Sequence, residues 1–251
     1  MRRSPTPTLA VMTELVLLHG FTNTGASWDD VASALPRTYR VQAPDLRGHG
    51  SASRARPVTL ESVLAEIDAL APGRFTLAGY SQGGRIALHA ALALPGRVER
   101  LVLIGASPGV ADPAEREQRR RADEALAAWA ETVSIEEFVT RWSQTPVLAD
   151  QPPAVRAAVS ADRLRSTTEG LAAALRGLGT GTLPPLWDRL DELSIPVELI
   201  VGERDRTFRT TAERMVSGLP DARLHVVAGA GHAVHLEDPW AVAGLIVATG
   251  G

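Results

Sequence analysis

Short apolar runs rich in β-branched residues alternate along the chain with longer stretches of helical periodicity, and one segment breaks the rhythm. Glu14–His19, Tyr39–Ala43, Arg74–Tyr80, Arg100–Ile104, Val197–Val201 and Arg223–Val227 read as strands, and Thr59–Leu70, Gln82–Leu94, Thr210–Leu219 and Pro239–Ala248 as helices. This alternation predicts an α/β fold with a mostly parallel sheet flanked by helices, because parallel strands need crossover connections. Between Ser107 and Ile195 only helical patterns occur: Pro113–Ala130, Ser134–Trp142, Pro153–Leu164, Thr168–Leu175 and Leu183–Leu193. Pro and Gly punctuate them, at Pro108-Gly109, Gln151-Pro152-Pro153 and Gly177-Leu178-Gly179-Thr180-Gly181. An insertion between two strands of an open sheet sits over their carboxyl ends, where such sheets bind ligands. The expected organisation is therefore a core of residues 1–106 and 196–251 and an inserted helical lid over 107–195. Residues 1–13 are expected to hold at most one further strand, with Met12 an alternative start.

Composition narrows the chemistry. A chain of 251 residues buries enough apolar surface to fold without staples. The absence of cysteine excludes thiolate catalysis, Cys-bound zinc, iron–sulfur clusters and disulfides, leaving Ser, His, Asp, Glu and Arg. No cofactor or metal is expected. A net charge of −3 leaves no basic footprint for nucleic acid or an anionic membrane, so a small soluble substrate is the expected partner. Polar Ser4-Pro5-Thr6-Pro7-Thr8 stands where an export signal would place its apolar run, and no stretch is apolar enough to span a bilayer. A cytoplasmic location is expected.

The strongest local signal is Gly79-Tyr80-Ser81-Gln82-Gly83-Gly84, between the strand Phe75-Thr76-Leu77-Ala78 and a helix beginning Arg85-Ile86-Ala87. An ordinary turn with Ser81 as helix cap would be the simplest account. In this context, however, G-x-S-x-G is a nucleophile elbow, whose glycines permit a tight turn that raises the serine Oγ above the sheet. Ser81 needs a base, and in such folds the order along the chain is Ser, then Asp or Glu, then His. His232, in Gly229-Ala230-Gly231-His232, fits best of the six histidines. His19, His49, His89, His225 and His235 read as structural. Asp205 in Gly202-Glu203-Arg204-Asp205 is placed to orient the imidazole, with Glu203 an open alternative. His19-Gly20-Phe21 follows the first clear strand, so the N–H groups of Phe21 and Gln82 are candidates for an oxyanion hole, the latter at a helix N-terminus.

These features together resemble the α/β-hydrolase superfamily over nearly the whole chain. That resemblance implies the fold but not the reaction, since the same elbow serves esterases, lipases, dehalogenases, lyases and C–C hydrolases.

Arginine placement narrows the choice. Arg85 lies four residues after Ser81, on the same helix face. A cation in a helix's first turns opposes the macrodipole by about 0.3–1 kcal/mol, which calls for a carboxylate from substrate or protein. In Pro113–Ala130 the apolar stripe reads as Ala122, Ala125, Leu126 and Trp129, with Arg119 at its border. By pattern alone, a solvated helix with Glu115–Arg119 and Glu117–Arg121 pairs accounts for those charges.

The elbow through Arg85, the strings Glu115–Asp123, Arg141-Trp142-Ser143-Gln144-Thr145-Pro146 and Arg163-Leu164, and Gly202-Glu203-Arg204-Asp205 fall in one order. In combination they resemble the 2-succinyl-6-hydroxy-2,4-cyclohexadiene-1-carboxylate synthase family, lyases of menaquinone biosynthesis that eliminate pyruvate. The resemblance implies a triad of Ser81, Asp205 and His232, and a substrate pocket lined by Tyr80, Arg85, Arg119, Trp142 and Arg163. Its implied substrate is a small polycarboxylate, which Arg forks bind bidentately. Thr207 departs from the family pattern, where Lys is expected. A serine carboxylesterase, a C–C hydrolase for a small anionic substrate, or a non-catalytic receptor for a small acid are the competing readings.

Overall fold

The computed structural model describes residues 12–148 and 151–248. Residues 1–11, most of the segment expected to hold at most one further strand and all of the polar Ser4–Thr8 run, lie outside that range. Six parallel strands form one sheet in the order β2-β1-β3-β4-β5-β6: β1 (Thr13–Leu18), β2 (Tyr39–Gln42), β3 (Phe75–Tyr80), β4 (Val98–Ile104), β5 (Val197–Gly202) and β6 (Ala222–Val227). Each coincides with a predicted strand to within two residues. The central strands are apolar at nearly every position because helices cover both faces. Val16, Leu18, Leu77, Leu101, Leu103 and Leu199 pack into one cluster, while Leu15, Leu17, Ala78, Val102, Ile104 and Ile200 pack into the other. Glu198 is the polar exception in β5, and it is held by His225 Nε2 at 2.6 Å.

The helices are α1 (Asp29–Ala34), α2 (Leu60–Leu70), α3 (Gln82–Ala93), α4 (Pro113–Ala130), α5 (Ile135–Trp142), α6 (Pro153–Arg163), α7 (Thr168–Leu178), α8 (Arg206–Val216), α9 (Val234–Glu237) and α10 (Pro239–Ala248). Side-chain caps start many of them: Thr59, Asp112, Ser134 and Thr167 accept first-turn N–H groups of α2, α4, α5 and α7. The sequence pattern did not predict α1. Its six residues span fewer than two turns and bury Val31 alone, too little for a periodic signal. The helical segment before β5 was also shorter than expected, a 3₁₀ stretch over Trp187–Glu192.

Strand order reverses between β1 and β3, so the loops leaving their carboxyl ends diverge and open a crevice. Helices α4 to α7 enter the chain between β4 and β5. They carry a small core of their own, with Ala127, Ala130, Phe138, Leu171, Ala172 and Leu175 buried together. The apolar stripe of α4 differs from expectation by about one position. Asp123, Ala127 and Ala130 are buried and Leu126 is half-buried, whereas Ala122 and Ala125 are exposed. No helix among the described residues is long and apolar enough to cross a membrane.

Close approach fixes α3 over the sheet. A Cβ on Gly83 would lie 2.2 Å from the Leu18 carbonyl oxygen and 2.5 Å from that of His19. Gly83→Ala should therefore destabilise the fold by about 1–3 kcal/mol, read as a lower urea midpoint with unchanged m-value. His235 is fully buried between the rings of Trp28 and Tyr80, and burial pushes its pKa down to about 3. The folded form therefore binds fewer protons than the unfolded form below the ordinary histidine pKa. That contribution is complete above about pH 6.5 and is lost as pH falls towards 3. His235→Phe, which keeps the ring contacts, should flatten the loss of stability across that window in denaturant melts.

Candidate active site

The turn from β3 into α3 holds Ser81 at φ 52°, ψ −109°, a left-handed conformation that costs a non-glycine residue of order 1–3 kcal/mol. Its backbone is tied on both sides: Ser81 N–H donates to the Ile104 carbonyl (2.9 Å), and Arg85 N–H donates to the Ser81 carbonyl (3.0 Å). The Ser81 side chain caps no helix N–H, which leaves its hydroxyl free for other work. The hydroxyl donates to His232 Nε2 at 3.3 Å, and His232 Nδ1–H donates to Asp205 Oδ2 at 2.6 Å. Asp205 caps α8 with its other oxygen, accepting Phe208 N–H at 3.2 Å. Its carboxylate is thus held from two directions while it fixes the imidazole. Glu203, the open alternative, turns outward and accepts Gly229 N–H (2.8 Å).

The remaining histidines sit in structural positions. His19 bridges two loops, donating from Nδ1 to the Gly20 carbonyl and accepting Leu46 N–H at Nε2, both at 2.9 Å. Burial lowers its pKa and keeps it neutral. Burial likewise holds His49 at about 3 and His89 at about 4.

Above the triad lies a cavity of about 790 Å³. Ser81, His232, Phe21 and Gln82 line it, so both candidate oxyanion donors border the same space as the serine. Gln82 opens α3, where a first-turn N–H has no intrahelical carbonyl to bind. Arg85, Arg119 and Trp142 also line the cavity. Arg119 Nε donates to Asp123 Oδ1 (2.7 Å) instead of pairing with Glu115, although all three residues line the cavity. Glu117 pairs with Arg121 as expected, and also with Arg120. Arg85 is buried, with no hydrogen-bond or ion-pair partner for its guanidinium among the described residues and Nε fully enclosed. Burial, then repulsion from Arg119, pushes its pKa down to about 10, so it stays charged at neutral pH.

Two expected lining residues are placed differently. Tyr80 and Arg163 lie behind the cavity wall, buried to 4% and 2% exposure. The Tyr80 ring packs on His232 and His235 because a strand residue next to the elbow faces the core. Arg163 is drawn into hydrogen bonds with Thr22 Oγ1 (3.1 Å) and Ser143 Oγ (2.9 Å). Sequence reasoning also missed lining residues on α8. Thr207, Thr211 and Arg214 all face the cavity, at helical spacing, and the Arg214 guanidinium lies 3.9 Å from the centroid of the Trp187 ring. That spacing is the available signal: Thr211 and Arg214 fall within the predicted helix, and only Thr207 lies outside it, because α8 starts at Arg206 and not at Thr210. The cavity-facing cation of α8 is therefore Arg214, two turns beyond the unexpected Thr207.

Comparisons with known proteins agree with this geometry. A family model described as alpha/beta hydrolase fold matches residues 14–239. A protein of Bacillus subtilis named putative 2-succinyl-6-hydroxy-2,4-cyclohexadiene-1-carboxylate synthase is 37% identical over 90% of this chain and 85% of its own. The synthase of the same name from Citrobacter koseri is 34% identical, with 90% and 88% covered. The solved structure of MenH from S. aureus superposes with a TM-score of 0.89 at 30% identity, covering 94% of this chain and 92% of that one. The chain belongs to the α/β-hydrolase fold family and, within it, to the 2-succinyl-6-hydroxy-2,4-cyclohexadiene-1-carboxylate synthases.

Proposed function

We propose that this protein is a carbon–oxygen lyase of menaquinone biosynthesis. It eliminates pyruvate from 2-succinyl-5-enolpyruvyl-6-hydroxy-3-cyclohexene-1-carboxylate to give 2-succinyl-6-hydroxy-2,4-cyclohexadiene-1-carboxylate. The observation that carries this reading is Arg85, a buried cation in the cavity of the serine with no hydrogen-bond or ion-pair partner among the described residues. An uncompensated buried charge is costly, and a substrate carboxylate removes that cost on binding. A neutral ester offers no such compensation.

In this reading Ser81, Asp205 and His232 are the catalytic residues. Ser81, with His232 as the acceptor of its proton, removes the proton next to the succinyl carbonyl. The carbonyl becomes an enolate, whose oxygen is held by the N–H groups of Phe21 and Gln82. Collapse of the enolate expels the enolpyruvyl oxygen, and the departing group leaves as pyruvate once it is protonated. Nothing is attached covalently to Ser81. Asp205 balances the imidazolium that forms for part of the cycle. Arg85 and Arg119 bind substrate carboxylates, and Trp142 packs beside them against Phe21, with ring centroids 5.0 Å apart. Tyr80 and Arg163 act from behind the wall, where Tyr80 supports His232 and Arg163 ties the insertion to the loop after β1. The insertion over residues 107–195 acts as a lid on a core of residues 1–106 and 196–251. The reading is of a cytoplasmic enzyme that needs no cofactor and takes a small polycarboxylate.

The test generates the substrate in situ with the preceding enzyme and follows pyruvate release. Ser81→Ala should lose at least about 1,000-fold in kcat, with an unchanged melting curve. Substantial elimination by that variant would defeat the assignment. Arg85→Gln should raise KM about 10- to 100-fold, the loss of a charged hydrogen-bond pair, with a smaller change in kcat. No pyruvate release, together with a burst of acyl-enzyme on aryl esters, would instead identify a carboxylesterase.

A further inference from the structure

The loop after β1 is held in a shape that its own residues disfavour. Asn23 N–H donates to the Gly20 carbonyl at 3.1 Å, which closes a turn over residues 20–23. Thr22 takes the third position of that turn with φ 72°. Gly or Asn suits such a position, and a β-branched residue there is strained. Thr22 is fully buried, so neighbouring groups must hold it there.

The groups that hold it come from the far end of α6. Asp162 accepts the Thr24 backbone N–H at 2.9 Å and the Thr24 hydroxyl, and lies 3.5 Å from Asn23 Nδ2. Arg163 Nε donates to Thr22 Oγ1 at 3.1 Å. Arg165 donates to Thr24 Oγ1 at 3.1 Å and pairs with Asp162 at 3.5 Å. At the near end, His19 Nδ1–H holds the Gly20 carbonyl. Phe21 lies between the two anchors, so the direction of its N–H depends on both.

We propose that Asp162 is a positioning residue for the oxyanion donor. By fixing Thr24 it keeps Thr22 left-handed and aims the Phe21 N–H at the position the developing negative charge will occupy. This rests on the reading of Phe21 as an oxyanion donor. Without the Asp162 anchor, Thr22 relaxes to a right-handed or extended backbone and the Asn23 N–H leaves the Gly20 carbonyl, which shares its peptide plane with the Phe21 N–H, so that plane is left held by His19 alone. The charge that Phe21 holds develops only in the transition state, so a misaimed donor lowers turnover without weakening ground-state binding.

The experiment compares Asp162→Ala and Asp162→Asn in the intact chain by steady-state pyruvate release. Asp162→Ala should lower kcat about 10- to 100-fold with KM changed by less than about threefold. Asn still offers an oxygen to the Thr24 N–H, so Asp162→Asn should stay within about fivefold of the parent kcat. Gly adopts a positive φ without strain, so Thr22→Gly added to Asp162→Ala should recover most of the lost kcat. If Asp162→Ala melts below the assay temperature, Asp162→Glu displaces the carboxylate by one methylene and should lower kcat in the same way. Unchanged kcat in the tested variant, a loss confined to KM, or equal losses in Ala and Asn that Thr22→Gly leaves unmoved would each overturn the proposal. If the parent protein releases no pyruvate but hydrolyses aryl esters, the elimination reading fails. The same variants measured on ester hydrolysis, which needs the same donor, then still decide the role of Asp162.

Discussion

The strained turn at Ser81 is the constraint on which the rest of the molecule is organised. A residue held at φ 52° survives only where its surroundings over-determine it, and here both of its backbone groups are bonded, to Ile104 and to Arg85. Those bonds require β3 to lie beside β4, and they require α3 to start at once. Beyond them, α3 sits so low over β1 that a Cβ on Gly83 would lie 2.2 Å from the Leu18 carbonyl oxygen. In return, the serine hydroxyl projects from the sheet at the point where strand order reverses, with a helix N-terminus behind it. His232 and Asp205 complete the arrangement from loops after β6 and β5. Because Asp205 also caps α8, the group that orients the imidazole is fixed by the start of a helix as well as by the imidazole itself.

Charge in the cavity is set by subtraction. Arg119 is largely answered by Asp123, whose second oxygen accepts Gly181 N–H at 3.3 Å, so this pair is built into the insertion. Asp112, another acid on the cavity wall, is occupied in capping α4. Arg85 keeps its charge with no hydrogen-bond or ion-pair partner among the described residues, only a longer-range attraction from Asp123, and burial magnifies the attraction it exerts on an incoming carboxylate. Exposed arginines elsewhere commonly have acidic partners, as Arg120, Arg176, Arg189 and Arg209 do. The contrast shows that the cation beside the serine is a local arrangement, and net charge says nothing about it.

Part of the fold was legible because its signals are local. Strands buried on both faces read as continuous apolar runs, and the six parallel strands were recoverable from them. The elbow was legible because a strand, a glycine-flanked serine and a helix are contiguous in sequence. Element order pointed to His232 and to Asp205 with Glu203 still open, and the hydrogen bond from His232 Nδ1 to Asp205 separates the two only in the fold. Other features had no contiguous signal. The six residues of α1 are too few for periodicity, and the inward face of α4 departs from the apolar pattern because Asp123 is polar yet buried by its bonds to Arg119 and Gly181 N–H.

Sequence by itself determined the parallel sheet, the run of helices between its fourth and fifth strands, the serine at its turn and the likeness to a family of lyases, because each is written in adjacent residues or in element order. Tertiary structure alone decided which arginines meet the cavity and which are absorbed into the scaffold. Arg163 and Arg119 look equivalent along the chain, yet one lies behind the wall on Thr22 and Ser143 while the other faces the serine's cavity. Arg214 reaches that cavity from a helix whose start the sequence pattern misplaced. The physical reason is that a long cationic side chain takes its role from the acceptors within its reach. Those acceptors are brought together from segments more than a hundred residues apart, as Thr22 and Arg163 are, only when the chain has folded.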